Sequence, residues 1–136
     1  MNNNSEQRYQ VEFGKLFAIE FENYPKDQQD AIIKFIEVFL KLGLTDFTHF
    51  EGKIAPSWKG LQTNHPHYNF AKKYNLWHYH IGIPNYQKSQ YGDYLTSDYI
   101  VHFMLQDNRM KIVLIDTTAH YRSDGSFWFP RAKYLE

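Results

Sequence analysis

Between Lys26 and Leu42, the apolar residues Ile32, Phe35, Ile36, Phe39 and Leu42 recur three and four positions apart. That spacing lines one face of an α-helix. No other segment constrains the chain as much, because a helix with a broad aromatic face must bury it against another layer. Asp27 and Asp30 suit the positive N-terminal end of such a helix, and Lys41 suits the other end. Pro25 fits its first turn, and Gly43 fits the left-handed residue that closes a helix. The stripe is wholly apolar, so it reads as core and not as a ligand groove.

The layer it packs on lies further along. Leu76 to Ile83, Asp98 to Gln106 and Met110 to Ala119 are rich in aromatic and β-branched residues and read as strands. Asp107-Asn108-Arg109 is turn chemistry, which makes the last two runs a hairpin. Earlier in the chain, Arg8 to Phe13 alternates like a short edge strand. Lys15 to Tyr24 offers Leu16, Phe17, Ile19 and Phe21 as the apolar residues of a first helix. The pattern weakens from Leu44 to Asn75, with a short helix expected around Tyr68 to Tyr74. Helices first and strands second predict an α+β fold, with the N-terminal helices packed on one face of a small antiparallel sheet. Residues 1–7, rich in asparagine, read as a disordered tail ahead of a single domain over 8–136.

Composition narrows the function classes. The 136 residues are enough for one continuous core, and 43% are hydrophobic. No apolar run approaches the roughly 20 residues that cross a bilayer, and the polar start leads into no apolar signal segment. With no cysteine, disulfides, thiolate nucleophiles and cysteine-based zinc sites are all excluded. A cytoplasmic location is the expectation. Fifteen basic residues balance fifteen acidic ones, and the pI is about 7.1. A general nucleic-acid binder would carry a pI above about 9, so any anion site must be local. The seven histidines are the unusual supply, since each can become a cation beside an anionic ligand.

In Leu76-Trp77-His78-Tyr79-His80-Ile81-Gly82-Ile83, residues two apart share a face. His78 and His80 therefore point together onto an outer face, while Trp77, Tyr79, Ile81 and Ile83 point to the core. His102 shares its face with Ile100 and Met104, which admits a buried, hydrogen-bonded role. His120 closes the third strand and is followed at once by Tyr121 and Arg122, at a strand end where sheets present active groups. Two chemistries use such a set. A His-x-His pair with further imidazoles suits zinc, copper or iron; His65-Pro66-His67 is a second such pair, in a loop. The alternative is metal-free RNA cleavage, in which a base deprotonates the ribose 2′-OH, a cation stabilises the phosphorane and an acid protonates the 5′-oxygen. Histidine serves as base and acid, and Arg122 or Lys111 supplies fixed positive charge.

Several strings then act together: Leu76-Trp77-His78-Tyr79-His80-Ile81; Tyr99 to Met104 with the Asp107-Asn108 turn and Lys111-Ile112-Val113-Leu114-Ile115-Asp116; and His120 beyond them. With Val11-Glu12-Phe13, Leu42-Gly43-Leu44 and Pro56-Ser57, they resemble the RelE/ParE superfamily of bacterial toxins, in particular its HigB-like and YafO-like branches. The resemblance spans nearly the whole chain through short motifs. It implies an endoribonuclease toxin that cleaves mRNA, commonly on the ribosome, inhibits translation, and is paired with a cognate antitoxin protein. Neither a metal nor a small-molecule cofactor is implied. His78 and His80 would take the alternating basic positions that contact phosphate or receive the 2′-OH proton. His120 would be the general acid or base, and Arg122 the phosphorane stabiliser. His102 completes the expected catalytic set, and Lys111, Tyr121, Arg131 and Lys133 are the expected RNA contacts, Tyr121 by stacking on a base. The chain departs from the family in its neutrality, in histidines where lysines and arginines are usual, and in the aromatic run Ser126-Phe127-Trp128-Phe129-Pro130-Arg131. Some superfamily members poison gyrase instead. From the residues alone, a non-catalytic partner-binding module and a small histidine-ligated metalloprotein stay open.

Overall fold

The apolar stripe between Lys26 and Leu42 folds as expected and sets the position of everything else. The structure, a computed structural model, describes residues 9–89 and 95–136. The chain begins with β1 (Gln10–Phe13), α1 (Lys15–Phe21) and α2 (Lys26–Leu42), and continues through β2 (Ile54–Pro56), α3 (Tyr68–Lys73) and β3 (Leu76–His80). The short strands β4 (Gln87–Lys88) and β5 (Leu95–Thr96) precede β6 (Tyr99–Gln106) and β7 (Lys111–Ala119). The expected tail over 1–7, and Arg8 of the expected edge strand, lie outside the described residues.

In α2, Ile32, Phe35 and Phe39 are buried. Gly43 closes the helix at φ 66°, and its N–H donates to the Phe39 carbonyl at 2.8 Å. A left-handed backbone is costly for residues with a Cβ and free for glycine. The Phe35 ring lies parallel to Tyr79 of β3, with centroids 4.4 Å apart and planes at 14°, and sits 5.5 Å from Phe103 of β6. These contacts dock the helix on the sheet.

The sheet has five strands in the order β1-β7-β6-β3-β2. All its neighbours are antiparallel except β1, which runs parallel to β7. The fold class is therefore α+β as expected, but the sheet is mixed, and β4 and β5 form a separate two-stranded ribbon. The turn between β6 and β7 holds Asp107, Asn108 and Arg109 at φ 54°, 58° and 69°, which Asp and Asn tolerate better than most residues.

Both faces of the sheet are covered. Trp77, Tyr79, Val101, Phe103, Leu105, Ile112 and Leu114 pack with Phe17 of α1 and with the α2 stripe. On the other face Leu76, Met104, Val113 and Ile115 pack with Ala71 of α3 and with Phe129 near the C-terminus. α1 and α2 thus contribute to the first cluster and α3 to the second. A strand buried on both sides must be apolar on both or bury polar groups, and β3 does the latter. In β7, His102 opposes Asp116 while Phe103 opposes Leu114, so Ile115 is an extra, bulged residue.

Just past that bulge, burial pushes the Asp116 carboxyl up to about 7, with Glu20 adding to the rise and the Thr117 N–H and Arg131 opposing it. An unfolded aspartate titrates near 3.9. The folded state therefore prefers the protonated form, and the stability this brings is complete below about pH 4 and is lost as pH rises through about 7. Asp116→Asn is expected to gain stability over wild type progressively across that window in urea denaturation; a difference constant with pH would show that Asp116 does not titrate there. Phe35→Ala removes the ring that joins α2 to the sheet and is expected to cost about 3–5 kcal/mol by the same measurement.

Candidate functional site

The period-two alternation of β3 that sends Trp77 and Tyr79 towards α2 sends His78 and His80 to the opposite face. On β6, His102 is the Cα partner of His78 across the ladder. His120 follows the end of β7, where its N–H donates to the Asp98 carbonyl at 2.7 Å. Beyond it the chain doubles back. Asp124 accepts from the Ser126 N–H and hydroxyl at 2.9 and 2.6 Å, and the Trp128 N–H donates to the His120 carbonyl at 3.0 Å. This return lays Phe127 over the histidines, with its ring 4.8 Å from His78, 5.0 Å from His120 and 5.9 Å from His102. The face expected to be open is therefore roofed: His78 is 6% exposed, His80 4% and His102 0%.

Four imidazoles are thus gathered, and three are in mutual reach. His78 lies 5.9 Å from His80 and 5.3 Å from His120 between ring centroids, and His80 and His120 stack at 5.0 Å with planes at 22°. One ring nitrogen from each of the three lies within 4.8 Å of the others. His78, His80 and His102 are anchored from behind. Ser57 Oγ is 3.0 Å from His78 Nδ1, and the Ser57 N–H is held by the Leu76 carbonyl at 2.8 Å. His80 Nδ1 lies 3.0 Å from the Ser97 N–H and 2.9 Å from the Ser97 carbonyl. It can accept from the first or donate to the second, one at a time, so either neutral tautomer has a partner. Thr118 donates its hydroxyl proton to the Ala119 carbonyl at 2.8 Å, which leaves its oxygen to accept from His102 Nε2–H at 2.8 Å. His102 Nδ1 and His120 Nδ1 are buried with no hydrogen-bond partner among the described residues.

Burial holds all four rings neutral. It is the main cause in each case, and nearby positive charge adds to it. His102 falls to about 3 with His120 contributing, and His120 to about 4 with His80 and Lys53 contributing. His78 lies well below its ordinary value, lowered further by the other three histidines, and His80 is lowered less because the Ser97 backbone opposes the shift.

The cluster opens on one side. A groove of about 680 Å³ is lined by His80, His120, Tyr121, Lys53 and Lys88 among others. Backbone pairing brings Lys53 there: its carbonyl accepts from the His80 N–H at 3.0 Å, and its N–H donates to the Leu95 carbonyl at 2.9 Å. Neighbouring Gly52 donates its N–H to the Tyr79 hydroxyl at 3.2 Å, and a Cβ there would run into the His80 carbonyl. Glycine is therefore required for this loop to approach β3.

Of the expected site residues, His78, His80, His102 and His120 come together, and Tyr121 joins them with its ring 4.2 Å from His120 while remaining 61% exposed. The expected cations do not assemble there. Arg122 lies over Trp128 at 5.0 Å, and Lys111 pairs with Glu12 at 3.0 Å at the start of β7, the end away from His120. Arg131 and Lys133 both lie over Tyr134, at 5.8 and 5.9 Å. His65 and His67 pair with each other, and His67 packs on Phe129 at 4.5 Å. Lys53, Ser57, Ser97, Thr118 and Phe127 were not anticipated as site residues; only the aromatic character of the 126–131 run hinted at a cover.

No protein-family model, curated protein or solved structure matches the chain, so its chemistry is argued from these side chains. Thr118→Val is expected to destabilise the protein by about 1–3 kcal/mol in chemical denaturation, because it leaves His102 Nε2–H buried and unpaired. Wild-type stability in that variant would show that the ring needs no acceptor there.

Proposed function

We propose that the chain is an RNA-cleaving toxin domain that cuts mRNA by attack of the ribose 2′-OH. The observation that carries the reading is the placement of two neutral imidazoles, His80 and His120, on the wall of a groove that also holds Lys53. A neutral imidazole can accept a proton, and an anion bound beside it raises its affinity for one. His120, half-buried and against the groove, is the base that takes the 2′-OH proton. The freed oxygen attacks phosphorus, the 5′-oxygen leaves, and a 2′,3′-cyclic phosphate remains. His80, protonated once phosphate is bound, gives its proton to the departing 5′-oxygen. Lys53 supplies the positive charge for the phosphorane, the role expected of Arg122 or Lys111. Tyr121 offers an exposed ring on which a base can stack. His78 and His102 lie beneath and hold the two reacting rings in place. The ribose supplies its own nucleophile and the imidazoles supply both proton transfers, so the reaction needs no metal.

A formal net charge of zero gives little affinity for free RNA through overall charge, so this reading takes a target held in place by a larger assembly. Ribosome-bound mRNA fits that description, and a cognate antitoxin is the partner that keeps such an activity silent. The place of action is then the cytoplasm. No helix of the described residues is long and apolar enough to cross a membrane.

Induced expression in a bacterium, with mRNA ends mapped, tests the reading. Wild type is expected to arrest growth and to create new ends that carry cyclic phosphate. A folded His120→Ala variant is expected to cut roughly 100-fold less or weaker still, the range of a lost acid–base group. Cutting at the wild-type rate in that variant would overturn the assigned roles. Growth arrest without new ends would move the target away from RNA.

A further inference from the structure

We propose that His78, His80 and His120 form a three-imidazole site for a divalent transition-metal ion of the zinc class, with one coordination position left open to the groove. The three ring nitrogens already lie within 4.8 Å of one another. Bonds of 2.0–2.1 Å in a tetrahedral site place ligand nitrogens about 3.4 Å apart, so small side-chain rotations would complete the set. Two of the rings carry the outer partners that metal-bound histidines use. With Ser57 at His78 Nδ1 and the Ser97 carbonyl at His80 Nδ1, each ring can keep its proton on Nδ1 and offer the Nε2 lone pair inward. His120 Nδ1 is buried without a partner among the described residues, a polar atom that an ion or a water held by one would satisfy.

The donor set also selects the ion. No carboxylate belongs to the group among the described residues. Imidazole nitrogens favour zinc, copper or nickel over magnesium or calcium, which prefer oxygen. Phe127 walls the site on one side at 4.8 Å from His78 and 5.0 Å from His120, and an apolar wall limits solvent around a bound ion. Three crowded imidazoles cannot readily share protons, but one dication takes all three lone pairs. Among the described residues the His65-Pro66-His67 pair belongs to no such group of three, and His67 packs against Phe129.

The test uses the full chain, stripped by chelator and titrated with zinc chloride in a calorimeter and with cobalt(II) in the visible range. One ion per chain is expected, with cobalt bands of a nitrogen-rich tetrahedral site and a zinc-dependent rise in melting temperature. His120→Ala is expected to bind at least about 10-fold more weakly, and Ser57→Ala roughly 10-fold more weakly through loss of the ring's anchor. A His65→Ala/His67→Ala double variant should bind as wild type does. No saturable binding by wild type would overturn the proposal. So would unchanged affinity in both His120→Ala and His80→Ala, or loss of binding in the His65/His67 variant alone. The site does not rest on RNA cleavage: binding without cleavage would remove the function proposed above and keep the site, and cleavage without binding would do the reverse.

Discussion

Tyr79 is stacked on Phe35 at 4.4 Å, and the rest of the molecule is arranged around that contact. In a strand, fixing one side chain fixes the faces of its neighbours. Once Tyr79 is held by α2, His78 and His80 have no choice but the opposite face, and a slip of one residue would bury the imidazoles under the helix. The Tyr79 hydroxyl extends the same constraint to the surrounding loops. It receives the Gly52 N–H at 3.2 Å and lies 3.1 Å from the Tyr86 hydroxyl, which in turn donates to the His80 carbonyl at 3.0 Å. The loop carrying Lys53 is thereby tied to the strand carrying the histidines. An aromatic contact in the core and a cation at the groove belong to one mechanical unit.

The opposite face is harder to stabilise, because it buries polar rings. Each ring has two nitrogens that would lose hydrogen bonds to water on burial, a loss that replacements offset. Ser57, the Ser97 backbone and Thr118 provide them. Two ring nitrogens still go unpaired among the described residues. A core built only for stability would have apolar residues here, and β3 and β6 hold such residues at Leu76 and Met104 on the same face. Polar groups kept buried and only partly satisfied are more readily explained by chemistry than by packing.

The sequence revealed those parts of the fold that depend on neighbours in the chain. The helix over Lys26–Leu42 was readable to the residue, because its stripe, its acidic start and Gly43 all act locally. The hairpin of β6 and β7 was readable for the same reason. β3 ends at His80 and not at Ile83, because Gly82 takes φ 82° and donates its N–H to Ser97 Oγ at 3.0 Å, leaving the extended conformation. α1 ends at Phe21, three residues early, because Asn23 and Tyr24 make tighter turns onto the Glu20 and Phe21 carbonyls ahead of Pro25. The shared face of His78 and His80 was legible, but its burial was not. Its roof comes from Phe127, 49 and 47 positions further on by the numbering, and no local period announces a segment that folds back. Lys53 was invisible for a related reason: backbone pairing with His80 places it, and backbone pairing leaves no mark on side-chain type. Ser97 meets the His80 ring through its backbone, in a contact distant in sequence.

Proton transfer and metal ligation, the two uses proposed for this cluster, draw on the same lone pairs. A general base must expose one nitrogen to substrate, keep the other oriented, and stay neutral at working pH. A zinc ligand has the same three requirements. Burial beneath Phe127 meets the last, the groove beside His80 and His120 meets the first, and the Ser97 anchor meets the second for His80, whereas His120 Nδ1 has no partner among the described residues. The two uses exclude each other on one ring at one time, because a nitrogen bound to an ion has no lone pair for a ribose proton. Lys53 bears on the competition as well. Its positive charge lowers the proton affinity of His78, His80 and His120, and it opposes a dication in the same place by the same Coulomb term. A phosphate in the groove would offset that repulsion for either cation. Local charge at the groove mouth, and not the neutral total of the chain, therefore bears on both proposed uses.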